Sequence, residues 1–215
     1  MKLPRLYPIL DTESLEPRGL TITVAAAAFL DGGAGILQIR HKGHWGREIF
    51  EAARDVARLC REAGAQLVIN DRVDFAMLLG AGLHVGQDDL PVRECRKLLG
   101  NEAMIGFSSH NSSQLAAAGG EPVDYVAFGP VFPTASKRDP DRVVGVEEVL
   151  RLRGLVEKPL VAIGGITLEN ALEVLHAGAD SIAVIAGLLP QPATAATAGS
   201  LRKRMVEWQN LVKAA

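Results

Sequence analysis

A closed barrel of eight parallel strands, each followed by a helix, is the α/β fold that this sequence predicts, and three observations carry the expectation. Eight short apolar runs bounded by turns recur along the chain, rich in Val and Ile and apolar on both faces, which is how parallel strands covered by helices read. Helix-length amphipathic stretches separate them. No linker, repeat or low-complexity tract divides the 215 residues, so residues 1–215 are expected to form a single domain. Strands alternating with helices allow either a closed barrel or a doubly wound sheet. The count of eight favours the barrel, and the doubly wound dinucleotide fold lacks its G-x-G-x-x-G after the first strand.

The elements follow in order. The first run, LYPIL (6–10), leads into DTESLEP. The second, GILQI (35–39), ends in Arg40, His41 and Lys42. Next, WGREIFEAARDVARLCREAG (45–64) puts Ile49, Ala52, Ala53, Val56, Leu59 and Cys60 on one face and closes on Gly, as a helix C-terminus does. QLVI (66–69) ends at Asn70 and Asp71, and GLHV (82–85) at Gly86, Gln87, Asp88 and Asp89. AMIGF (103–107) ends at Ser108, Ser109 and His110, and DYVAF (124–128) runs into FGPVFPTASK (128–137). PLVAI (159–163) precedes Gly164 and Gly165, and SIAVI (181–185) precedes Ala186 and Gly187. In the last helical stretch, Trp208 and Val212 share one face and read as core.

Composition narrows the function. With 48% hydrophobic and 22% charged residues the chain is globular, and 23 basic against 25 acidic residues give a net charge of −2. There is thus no overall field to attract nucleic acid or an anionic membrane. The opening MKLPRLYPIL lacks a signal-peptide core, and no run approaches the roughly 20 apolar residues of a membrane span, so a cytoplasmic protein is expected. Cys60 and Cys95 lie in amphipathic patterns without metal-ligand spacing and read as buried free thiols.

In such barrels the functional rim is formed by the C-terminal ends of the strands, and here nearly every rim position is polar or glycine. Arg40 and Lys42 alternate at a strand end and so point to one face, the barrel mouth. Asp71 and Asp89 end consecutive strands and should stand side by side. Two adjacent carboxylates offer hard oxygen ligands to Mg²⁺, which completes its shell with water and substrate phosphate. Helix capping is the alternative for Asp71, and for Asp88 and Asp89 ahead of the helix after Pro91. Across the mouth, Gly164 and Gly165 can bring backbone N–H groups to a second phosphate, with Thr167 as a helix cap. Two anion sites suggest a reaction between two substrates.

The segments QIRHK, INDRVDFAMLLGAGLHVGQDDLP, IGFSSH, DYVAFGPVFPTASK, VAIGGITLEN and GADSIAVIAG, in this order and spacing, resemble the thiamine phosphate synthase family from about residue 6 to residue 190. The resemblance implies a Mg²⁺-dependent transferase that joins hydroxymethylpyrimidine pyrophosphate to thiazole phosphate and releases pyrophosphate. Pyrophosphate departs first in this mechanism, and the thiazole nitrogen attacks the pyrimidine cation that remains. By the same resemblance Gln38, Ile39, Arg40, His41, Lys42 and Asn70 hold the pyrimidine pyrophosphate, with Ser108 beside the ring. Asp71 and Asp89 hold the metal. Lys137 meets the leaving pyrophosphate, and Thr134, Ala135, Ser136, Gly165, Ile185 and Ala186 line the thiazole phosphate site. Arg40, Ser108 and Lys137 are the expected catalytic groups. The loop RDPDRVVG (138–145) reads as a lid or a plain connection.

The sequence departs from the family at three positions: His41 stands for an acidic residue, Ser136 for threonine and Ala186 for serine. Ser136 keeps a hydroxyl, whereas Ala186 leaves only backbone donors. Two other readings stay open. The related thiazole tautomerases use a histidine where His110 stands, and a non-catalytic barrel could bind a thiazole or thiamine phosphate without turnover. Small-molecule substrates are expected as partners, with no nucleic acid or membrane. The oligomeric state, a homo-oligomer included, is left open.

Overall fold

The computed structural model describes residues 3–136 and 141–214. Eight parallel strands close into a barrel in sequence order, β8 pairing with β1. They are β1 (Leu6–Asp11), β2 (Ile36–Arg40), β3 (Gln66–Asn70), β4 (Gly82–Val85), β5 (Ile105–Ser109), β6 (Tyr125–Phe128), β7 (Leu160–Ile163) and β8 (Ser181–Val184). Every expected run is a strand, with ends moved by a residue or two. The outer layer consists of α1 (Thr12–Leu15), α2 (Ile22–Asp31), α3 (Arg47–Ala63), α4 (Val73–Leu79), α5 (Val92–Leu99), α6 (Ser112–Gly119), α7 (Val146–Leu152), α8 (Ala171–His176) and α9 (Ala198–Lys213). Among the described residues no helix is long and apolar enough to cross a membrane.

The period-2 geometry of strands splits the apolar residues into two cores. Outward residues such as Leu10, Leu37, Ile39, Ile69, Leu83, Val126 and Ile182 pack against the helices. Inward residues, among them Tyr7, Ile9, Ile36, Val68, Met104, Tyr125 and Val161, fill the barrel. The amphipathic face read for α3 turns Ala53, Val56 and Cys60 into the outer core, and Gly64 closes that helix at φ +67°. Cys60 and Cys95 are buried free thiols. Trp208, Met205 and Val212 bury the same face of α9 against this barrel. Apolar packing therefore makes the lower barrel rigid, and the polar strand ends are left to the mouth.

Candidate functional site

The mouth encloses about 520 Å³, lined by residues from all eight strand ends, a volume suited to small-molecule ligands. Gln38, Arg40 and Lys42 line it. Ile39 and His41, expected among the binding residues, do not bring their side chains to it. Strand alternation sends Ile39 into the outer core, wholly buried. The ring of His41 lies back against Thr12 (Nδ1 to Oγ1, 2.8 Å) and the His44 carbonyl (3.2 Å), with Trp45 edge-on to it.

Among the described residues, Arg40 and Lys42 of the mouth already hold carboxylates. Arg40 meets Asp11 at 2.5 Å and Glu13 at 3.6 Å. Asp11 is almost fully buried, and its other oxygen accepts from the Ser14 N–H (3.0 Å) to cap α1. One side chain therefore starts a helix and fixes the guanidinium above it. Sequence reading missed Asp11, whose signal was a carboxylate closing an apolar run in register with Arg40. Lys42 pairs with Asp71.

Asp71 does not cap the following helix. Arg72 holds the cap position of α4, and Asp71 adopts φ +65°, a left-handed conformation that few residues other than glycine take. Its N–H bonds the His84 carbonyl at 2.8 Å, so the turn is tied to β4. Arg72, over the rings of Trp45 and Phe75, anchors the same turn from outside. The Asp89 carboxylate accepts from the Gly86 N–H at 2.7 Å and likewise caps nothing, since α5 has no side-chain cap at Pro91. Burial first, and then the Asp71 charge beside it, push the Asp89 carboxyl above its usual range, against the Gly86 N–H and Lys42, which lower it. Asp71 and Asp89 therefore share one corner.

Opposite this corner, Val131 N–H bonds the Ile163 carbonyl (2.9 Å) and Phe132 N–H that of Gly164 (3.0 Å). The stretch 130–132 thus extends the sheet along the end of β7. Gly164 and Gly165 take φ +101° and +63°, and a Cβ on either would overlap the chain from Pro130 to Pro133. This close crossing brings Thr134 and Ser136 to the cavity beside Gly165, with Thr134 Oγ1 accepting from the Ser136 N–H (3.3 Å). Ile185 and Ala186 complete that side, while Ala135 is not among the lining residues. Thr167 is not a helix cap: α8 starts at Ala171, and the Thr167 N–H donates to Asn170 instead. Lys137 lies outside the described residues, as do residues 138–140 of the expected lid. His110 lines the rim, its Nδ1 2.8 Å from the Gly129 carbonyl and 3.5 Å from Asp141.

Below the rim runs a buried polar chain: Gln38 and Ser108, both expected at the site, are joined through Tyr7, Tyr125 and His84, which sequence reading missed, by links of 2.8 to 3.1 Å. Burial above all lowers the His84 imidazole to about 4 and raises both phenols, so all three are neutral at pH 7.

The family model described as thiamine monophosphate synthase matches residues 6–188. The chain belongs to the thiamine monophosphate synthase family. It is 47% identical to the thiamine-phosphate synthase of Koribacter versatilis (strain Ellin345), over 89% of this chain and 92% of that protein. Its identity to the Chloroflexus aurantiacus thiamine-phosphate synthase is 40%, covering 92% of this chain and 91% of the relative. Among solved structures, the thiamine phosphate pyrophosphorylase from Pyrococcus furiosus superimposes with a TM-score of 0.83 at 32% identity, covering 98% of this chain and 96% of that one. The polar rim is thus a family member's strand-end rim.

Proposed function

We propose that the protein is a thiamine phosphate synthase, condensing hydroxymethylpyrimidine pyrophosphate with thiazole phosphate to give thiamine phosphate and pyrophosphate. The observation that carries this reading is one cavity with two polar sides, the Asp71, Asp89, Arg40 and Lys42 corner and the Thr134, Ser136 and Gly165 loop. Relatives over most of the chain bear the matching name. The reading carries with it small-molecule partners and a cytoplasmic place of work.

The acidic corner fits Mg²⁺. Burial first, and then the Asp71 charge, raise Asp89, and a hard divalent cation held by the two carboxylates would relieve their repulsion. Asp71 and Asp89 would hold the ion, which supplies charge neutralisation at a leaving pyrophosphate. Arg40, fixed by Asp11, presents its guanidinium to phosphate oxygens. Lys42 exchanges Asp71 for phosphate when substrate arrives, and Lys137 is assigned to the same leaving group.

Ser108 lies against His84 as a nucleophile lies against its base, yet an imidazole lowered to about 4 is too weak to take the serine proton at neutral pH. Neither cysteine lines the mouth. These facts argue against a covalent protein intermediate, and the family resemblance implies a dissociative path, in which pyrophosphate leaves, the pyrimidine ring carries the positive charge, and the thiazole nitrogen attacks. The protein's task is then to hold two substrates in line and to stabilise the departing charge. With Ala186 in place of a serine, backbone N–H groups and the Thr134 and Ser136 hydroxyls remain as donors to the thiazole phosphate.

The test is pyrophosphate release by the purified protein with both substrates and Mg²⁺, each omitted in turn. Release that requires all three, with an equal amount of thiamine phosphate formed, is expected. Thiazole phosphate binding with no release would overturn the synthase reading and turn attention to His110, which lines the same cavity.

A further inference from the structure

The buried chain under the rim has a direction. Gln38 on β2 donates its amide N–H to the Tyr7 hydroxyl (3.1 Å), and the Tyr7 and Tyr125 hydroxyls are 2.9 Å apart. Tyr125 Oη lies 3.0 Å from His84 Nδ1, and His84 Nε2 lies 2.8 Å from Ser108 Oγ. Each hydroxyl has one proton, and a neutral imidazole has one donor and one acceptor nitrogen. A hydroxyl that accepts from one neighbour must give its proton to the next, so one end of the chain orients every bond.

Gln38 is that end. With its NH₂ turned to Tyr7, Tyr7 gives to Tyr125, Tyr125 gives to Nδ1 of His84, and His84 carries its proton on Nε2 and gives it to Ser108. Ser108 accepts from below and turns its own proton into the cavity, while Gln38 keeps its amide oxygen as an acceptor there. Both residues line the mouth, as do Tyr7, Tyr125 and His84 between them. The fold makes room for this line at Gly106, where a Cβ would overlap the ring and hydroxyl of Tyr125. Hydroxyls and an imidazole buried in a barrel interior are costly unless each is paired, and here the pairing ends only at the cavity.

We propose that Tyr7, Tyr125 and His84 are positioning residues that lock Ser108 as a donor and Gln38 as an acceptor, selecting a heteroaromatic ring with a ring-nitrogen acceptor and an exocyclic amino donor. The proposal rests on the pyrimidine reading above for the identity of that ring, but not for the direction of the chain. A reversed chain would put the His84 proton on Nδ1, make Ser108 an acceptor and present the Gln38 amide as a donor, favouring the opposite ring pattern.

The experiment has two arms. In the ligand-free, ¹⁵N-labelled full chain, two-bond proton–nitrogen correlations report the His84 tautomer, the signal being assigned by its loss in His84→Gln. Protonation on Nε2 is expected, and protonation on Nδ1 overturns the proposal. In the second arm Tyr125→Phe, nearly the same shape, cuts the chain at its centre. The KM for hydroxymethylpyrimidine pyrophosphate should rise about tenfold, with the KM for thiazole phosphate unchanged and the His84 tautomer mixed. Equal changes in both KM values, or an unaltered pyrimidine KM, would reduce the tyrosines to packing and overturn the proposal. Tyr7→Phe cuts the same chain nearer Gln38 and serves if Tyr125→Phe fails to fold. The tautomer is read whether or not the wild-type protein turns over, so failure of the synthase reading and failure of the chain are told apart.

Discussion

At the scale of single residues, Asp71 combines a charge with a backbone conformation that has to be held. Its left-handed φ is tolerated by Asp and Asn better than by other side chains with a Cβ, which lets charge be tested apart from shape. Asp71→Asn should lower the rate of pyrophosphate release on the order of 10²-fold and shift the Mg²⁺ dependence to higher concentration, while urea unfolding moves by less than about 1 kcal/mol. Identical Mg²⁺ titrations for variant and wild type would remove Asp71 from the metal site. Asp11 offers a second test, because it is almost fully buried and holds Arg40. Asp11→Asn keeps a capping oxygen but loses the charge that fixes the guanidinium, so the KM for the pyrimidine pyrophosphate should rise roughly tenfold. An unchanged KM would show that Arg40 needs no such anchor. The placement of Asp71, Asp89, Arg40 and Lys42 at the cavity, declared by charge at a strand end, was legible in the sequence. Tyr7, Tyr125 and His84 were not, because each sits inside an apolar run and only barrel closure brings three distant strands onto one polar line.

At the scale of elements, all eight strands were legible because parallel strands buried on both faces leave continuous apolar runs. Short helices were less so: Thr167 looks like a cap, but a loop intervenes before α8. The terminal helix could be read as core-facing from Trp208 and Val212, though not which barrel it covers. It covers its own, and reaches the site. Trp208 Nε1 (3.0 Å) and Arg204 Nε (2.9 Å) both donate to the Gly187 carbonyl in the turn after β8, directly behind Ala186. Trp208→Ala empties a fully buried site and should cost roughly 3–5 kcal/mol in urea unfolding. Trp208→Phe keeps most of the volume and removes one donor, so about 1 kcal/mol is expected, together with a higher KM for thiazole phosphate alone. If the KM for the pyrimidine substrate rose equally, α9 would be supporting the barrel at large rather than this turn.

At the scale of the whole molecule, the barrel has an apolar outer core, an inner core that turns from apolar to polar toward the mouth, and a rim that carries Arg40, Lys42, Asp71 and Asp89. That gradient has a consequence for stability against acid. His84 sits where the inner core becomes polar, and burial lowers it from 6.5 to about 4; His110 and Lys42 add to the effect, and Asp89 opposes it. Between those pH values the unfolded chain binds a proton at this site that the native state refuses. The unfolded state therefore holds more protons, and stability falls as pH falls through this window. A shift of this size amounts to about 3 kcal/mol once the pH is below 4, a large fraction of the stability of an ordinary domain. Urea unfolding of wild type and His84→Gln at several pH values between 4 and 7 measures it directly. The variant should start less stable at pH 7, since it disturbs the polar chain, yet lose less stability on acidification. Parallel curves for the two proteins would mean that the imidazole is protonated within the folded barrel without penalty, and that the polar layer under the mouth is open enough to solvate a charge.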